Sequence, residues 1–89
     1  MYVNIFTTIL MYHSRMKDIK REVGLRLKES RKTANLTQAE VAKILLMPQQ
    51  QYSRFENGKY ELNYSQIVEL CKLYDISCDY LFGLKNSDY

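Results

Sequence analysis

Residues Leu36 to Lys59, LTQAEVAKILLMPQQQYSRFENGK, constrain the fold more than any other stretch of this chain. They hold two helix starts so close together that only two short helices with a tight connection fit. Thr37-x-x-Glu40 is a capping box, in which the Thr hydroxyl and the Glu carboxylate each satisfy a free backbone N–H. The first helix then runs through Val41, Ala42 and Leu45, with the small Ala42 where a second helix crosses closely. Leu46 and Met47 make the turn. Pro48 suits the first turn of the second helix, where a missing N–H costs nothing. Tyr52 and Phe55, three apart, mark its buried side, leaving Gln49, Gln50, Ser53 and Arg54 outward and Gln51 at the margin. Asn57-Gly58 ends it, because both residues tolerate positive φ.

The rest of the chain reads as helices built around this pair. Eighty-nine residues make one small domain, and 46% apolar residues can fill a core. Three Gly and one Pro are few breakers, which favours an all-α fold over a many-turned β fold. Upstream, Met16, Ile19, Val23, Leu27 and Ala34 recur at helical spacings after Ser14, a suitable N-cap. That predicts one helix of about 20 residues, about 30 Å long, ending at Asn35, with Gly24 marking a bend or break. After the loop Lys59–Asn63, a fourth helix places Ile67, Leu70, Cys71 and Tyr74 on one face. Ser77 caps a short fifth helix carrying Tyr80, Leu81 and Phe82 before Gly83. The expected organisation is a helical domain over residues 15–84 and a frayed tail over 85–89. Before it stands an apolar extension over residues 1–14, MYVNIFTTILMYHS. Its β-branched and aromatic content suggests a strand, an arm onto a partner, or a segment upstream of a start at Met16.

Charge and cysteine usage narrow the class. Residues 1–35 carry eight basic and three acidic groups, and residues 36–89 five basic and seven acidic, so one end of the chain suits phosphates better than the other. Cys71 and Cys78 lie in apolar surroundings with the single His, His13, far off in sequence, so two reduced, buried thiols in a cytoplasmic protein are expected and no metal site. The first twelve residues are too short to span a bilayer. They also lack the leading positive charge of a signal peptide. One His, no Gly-rich phosphate loop and no evident carboxylate pair argue against an enzyme, a cofactor or a small-molecule ligand.

The three glutamines that open the second helix carry the functional reading. A side-chain amide donates and accepts at once, which matches the N6 and N7 edge of adenine in the major groove of double-stranded DNA. A helix-turn-helix holds such a helix in that groove. In the order and spacing of its elements the chain resembles the Cro/repressor-type (XRE-like) helix-turn-helix family over about Val23 to Leu84. The elements are the basic first helix ending in Arg31, Leu36-Thr37-Gln38, Val41-Ala42 and Phe55-Glu56-Asn57-Gly58-Lys59. The likeness continues through Leu70-Cys71-Lys72-Leu73-Tyr74-Asp75-Ile76-Ser77 and Asp79-Tyr80-Leu81-Phe82-Gly83. It implies a five-helix repressor-like bundle.

The resemblance also implies roles. Gln49 and Gln50 match base-reading positions, and Arg54 one that reaches a base or flanking phosphate. Gln38 matches a phosphate clamp. From their own positions beside the helix pair, Thr37, Ser53, Lys59 and Tyr60 are expected to contact the DNA phosphates as well. Arg31 and Glu56 match a buried ion pair. Three positions depart from the family pattern. Leu46 stands where Gly is usual, Pro48 replaces a Ser or Thr cap, and Ser30 replaces a large apolar residue, which thins the core at a spot for the N-terminal extension to cover. The expected function is a repressor that binds an inverted repeat as a homodimer, through the fifth helix and its neighbouring residues or through the N-terminal arm. An antitoxin that binds DNA and a partner protein is the first alternative. A protein-interaction module that has lost DNA binding is the second.

Overall fold

The computed structural model describes residues 4–85, and the side chains of these apart from residues 11–18. Five helices follow in order: α1 (Ile5–Thr33), α2 (Gln38–Ile44), α3 (Gln49–Glu56), α4 (Tyr64–Tyr74) and α5 (Cys78–Leu81). The expected tail falls mostly on residues 86–89, outside the described residues.

Helix α1 differs from expectation at its start. It begins at Ile5 and continues through Ser14, which is therefore not a cap, and the strand reading of the extension is replaced by helix. The local cause is Asn4, whose side chain accepts from the Phe6 N–H at 2.7 Å and starts the helix. No Gly or Pro interrupts the chain from there to Gly24, and β-branched content is a weak preference against such continuity. Gly24 causes no break either. A Cβ there would strike the backbone carbonyls of Phe55 and Glu56, so its role is to let α1 and the end of α3 touch. At its far end α1 closes as expected on Asn35, at φ 60°, with the Leu36 N–H reaching back to the Arg31 carbonyl at 3.1 Å.

The core gathers where the five helices converge. Leu27, Val41, Tyr52, Leu70 and Leu81 are fully buried, with Ala42, Phe55, Cys71 and Tyr74 around them. Each full burial of a Leu stabilises by about 1.5–3 kcal/mol. The Tyr52 and Tyr74 hydroxyls meet at 2.5 Å, so neither buried oxygen is left without a partner. Ser30 is buried near the C-terminal end of α1, roughly 37 Å along the helix from Ile5. The N-terminal segment therefore does not cover it. Cys71 is buried as expected, but Cys78, at the first position of α5, is exposed.

Candidate nucleic-acid interface

Helices α2 and α3 are set by their ends. Thr37 forms the capping box, its hydroxyl accepting from Glu40 N–H at 3.1 Å and its own N–H donating to Glu40 Oε1 at 3.0 Å. Those bonds hold the exposed Glu40 carboxyl below its ordinary range. Leu46, at φ 57°, carries the turn in the left-handed conformation, which costs on the order of 1 kcal/mol for a non-glycine residue. The Met47 N–H returns to the Ala42 carbonyl at 3.0 Å and closes that turn. Pro48 occupies the N-cap of α3 with no side-chain cap, so the first turn of α3 opens to solvent.

That opening is where the candidate side chains converge. Gln38, Gln49, Gln50, Ser53 and Arg54 line one shallow surface depression between the start of α2 and the outer face of α3. Gln49, Gln50 and Arg54 are exposed, Ser53 and Gln38 half-buried. Arg54 reaches onward, its guanidinium carbon lying 5.5 Å from the centre of the Tyr60 ring. Tyr60 and Gln51 belong to an adjoining depression with Asn63 and Gln66, and Gln51 is exposed. Lys59 is exposed, its N–H closing the end of α3 on the Arg54 carbonyl at 2.8 Å. Thr37 is exposed at the edge of the surface.

Behind this surface lies a charged knot. Arg31 Nε donates to Glu56 Oε2 at 2.7 Å and its Nη2 to Oε1 at 3.2 Å, a two-pronged pair, while Nη1 donates to the Leu36 carbonyl at 2.9 Å. Glu56 is 4% exposed and Arg31 9%. Burial pushes the Glu56 carboxyl up, but hydrogen bonds from Arg31, Tyr52 and Gln38 outweigh it and hold the group below its usual range. The bond to Glu56 raises Arg31 in turn.

The third of those donors was not foreseen. Gln38 Nε2 donates to Glu56 Oε1 at 3.0 Å, so one amide hydrogen at the surface is tied to the buried pair. No sequence signal links residues 38 and 56, since only the packing of α2 on α3 brings them together. The Arg54–Tyr60 stacking was likewise missed, because it depends on the path of the loop after α3. Among the described residues no three His, Cys, Asp or Glu side chains come together as a metal site would require. No described helix is long and apolar enough to cross a membrane.

Comparison with known proteins agrees with this architecture. A family model described as helix-turn-helix matches residues 27–81. The HTH-type transcriptional regulator ImmR of Bacillus subtilis (strain 168) is 36% identical over 61 residues, covering 68% of this chain and 48% of that protein. The chain thus spans about half the length of that relative. With the matched residues running from Leu27 to Leu81, through both short helices and the bundle that holds them, this chain belongs to the XRE-type helix-turn-helix family.

Proposed function

We propose that this protein is a cytoplasmic, sequence-specific double-stranded DNA-binding regulator that represses transcription from an inverted-repeat operator as a homodimer. The observation that carries this reading is the convergence of Gln38, Gln49, Gln50, Ser53 and Arg54 on one exposed depression at the uncapped start of α3. With α3 in the major groove, Gln49 and Gln50 read base edges and Arg54 reaches a base or flanking phosphate. Gln38 offers a phosphate its remaining amide hydrogen, with Thr37, Ser53, Lys59 and Tyr60 along the backbone path. One recognition helix with a few contacts of about 1–3 kcal/mol each cannot single out a site in a genome, and pairing two copies supplies the difference.

The test starts from a preferred duplex selected out of random sequence and compares it with an unrelated duplex at several salt concentrations. Gln50→Ala is expected to lose about 1–3 kcal/mol on the preferred duplex and almost nothing on the unrelated one. Gln38→Ala is expected to weaken both alike, since its partner is the phosphate backbone. Equal losses from Gln50→Ala on both duplexes would remove the base-reading role. Absence of any salt-dependent binding would favour the protein-interaction module instead.

A further inference from the structure

The two thiols that the proposed DNA surface does not use lie against each other. Cys71 Sγ, in the last turns of α4, is 3.6 Å from Cys78 Sγ at the first position of α5, and both are free. The chain reversal between them enforces the approach. Asp75 turns left-handed at φ 54°, and the Ile76 N–H folds back onto the carbonyl of Cys71 itself at 3.0 Å. Ser77 then caps α5 at once, its hydroxyl accepting from the Tyr80 N–H at 3.0 Å. Two thiols alone do not make a metal site, and no third His, Cys, Asp or Glu joins them among the described residues.

We propose that Cys71 and Cys78 are an oxidisable dithiol, a modification site that reacts with small-molecule disulfides at Cys78 and closes to an intramolecular disulfide. Exposure divides the labour. Cys71 is 8% exposed and screened from reagents, whereas Cys78 opens to solvent. Burial also pushes the Cys71 thiol up to about 12, which keeps it protonated and slow to attack a disulfide. The Cys78 thiolate attacks one sulfur of R–S–S–R, forming a Cys78–S–S–R bond and releasing RS⁻. Cys71 then gives up its proton, which RS⁻ takes, and attacks the Cys78 sulfur. The second RS⁻ leaves, carrying off the electron pair of the broken bond, and takes the proton that Cys78 lost to solvent. Two cysteine thiols are oxidised and one small disulfide is reduced to two thiols. A disulfide requires the sulfurs to close from 3.6 Å to about 2.05 Å. The product joins the end of α4 to the start of α5.

This inference stands apart from the DNA-binding reading, because its test follows thiols. The reduced full chain is incubated with oxidised and reduced glutathione at a series of ratios and examined by intact mass and maleimide labelling. The expected product is a single chain lighter by two hydrogens, carrying no glutathione and restored by dithiothreitol. It should form at a ratio at least tenfold less oxidising than the same chain requires in denaturant. Cys78→Ser, at an exposed position, is expected to stay unmodified under those conditions. Cys71→Ser is expected to keep one glutathione on Cys78. Wild type that retains glutathione, cross-links to a second chain, or closes no more readily folded than unfolded would overturn the proposal. So would a Cys78→Ser variant that still reacts at Cys71.

Discussion

Glu56 takes hydrogen bonds from α1 through Arg31 and from α2 through Gln38, while itself ending α3. A carboxylate this deeply buried is tolerable only because its partners are complete. Arg31→Ala strands it, and the expected cost is about 3–5 kcal/mol, read as a large fall in Tm or urea midpoint. The same geometry fixes an acid limit. The folded carboxyl titrates below its ordinary value of 4.5, so the ion pair adds stability above that pH and loses it as pH falls through the folded value. Thermal melts are therefore expected to drop below about pH 4.5, with Glu40, also held low by its capping bonds, adding to the fall. A Glu56→Gln chain should begin less stable at neutral pH and show a shallower acid decline. An equally steep decline in that variant would assign the acid limit to other carboxylates.

At the scale of elements, Gly24 sets how closely α1 approaches the end of α3. Gly24→Ala puts a methyl group into the carbonyls of Phe55 and Glu56, which are backbone and cannot rotate away. Overpacking of this kind costs about 1–3 kcal/mol, and α3 must shift to relieve it. Calorimetry is expected to show that loss, while an unchanged Tm would mean that α1 bends freely there. The sequence displayed the local devices well. Thr37 and Glu40 sit at capping-box spacing, Tyr52 and Phe55 at helical spacing, and Asn35 and Leu46 where the chain has to turn, so each could be read within a few residues. Asn63 and Gln66 form a second capping box, at 2.8 and 2.9 Å, whose signal was equally present at the start of α4. The first turns of α1 were harder to read. Ile5, Phe6 and Ile9 resemble a strand in composition, and the deciding facts were a capping Asn4 and the absence of breakers. Gln38–Glu56 and Cys71–Cys78 had no local signal, since each needs two elements already packed.

For the whole molecule, the free end of α1 is the outstanding surface. Ile5, Phe6, Ile9 and Leu10 are each more than half exposed, a cluster of apolar side chains of the sort that marks an interaction site. Around α5, by contrast, Leu81 is fully buried and, among the described residues there, Leu84 is the large exposed apolar one, so these residues offer less to a partner. The double variant Ile5→Asp with Ile9→Asp is therefore expected to weaken self-association at least tenfold in sedimentation, with helical content and Tm little changed. Leu84→Asp should have the smaller effect. The reverse order would move the contact to α5, and a monomeric wild type at DNA-binding concentrations would end the dimer proposal. The missing Cβ of Gly24 has a mechanical side as well. Where α1 passes the end of α3 there is no cushion of side chain between the two backbones, and Gly58 meets the backbone of Arg21 in the same bare way. The joint is backbone on backbone, and it lies about 28 Å along α1 from Ile5. Whatever grips the free end therefore holds a long handle. A tilt of only a few degrees there would swing α3 with it, and the helix proposed to enter the groove would be aimed from the opposite end of the rod.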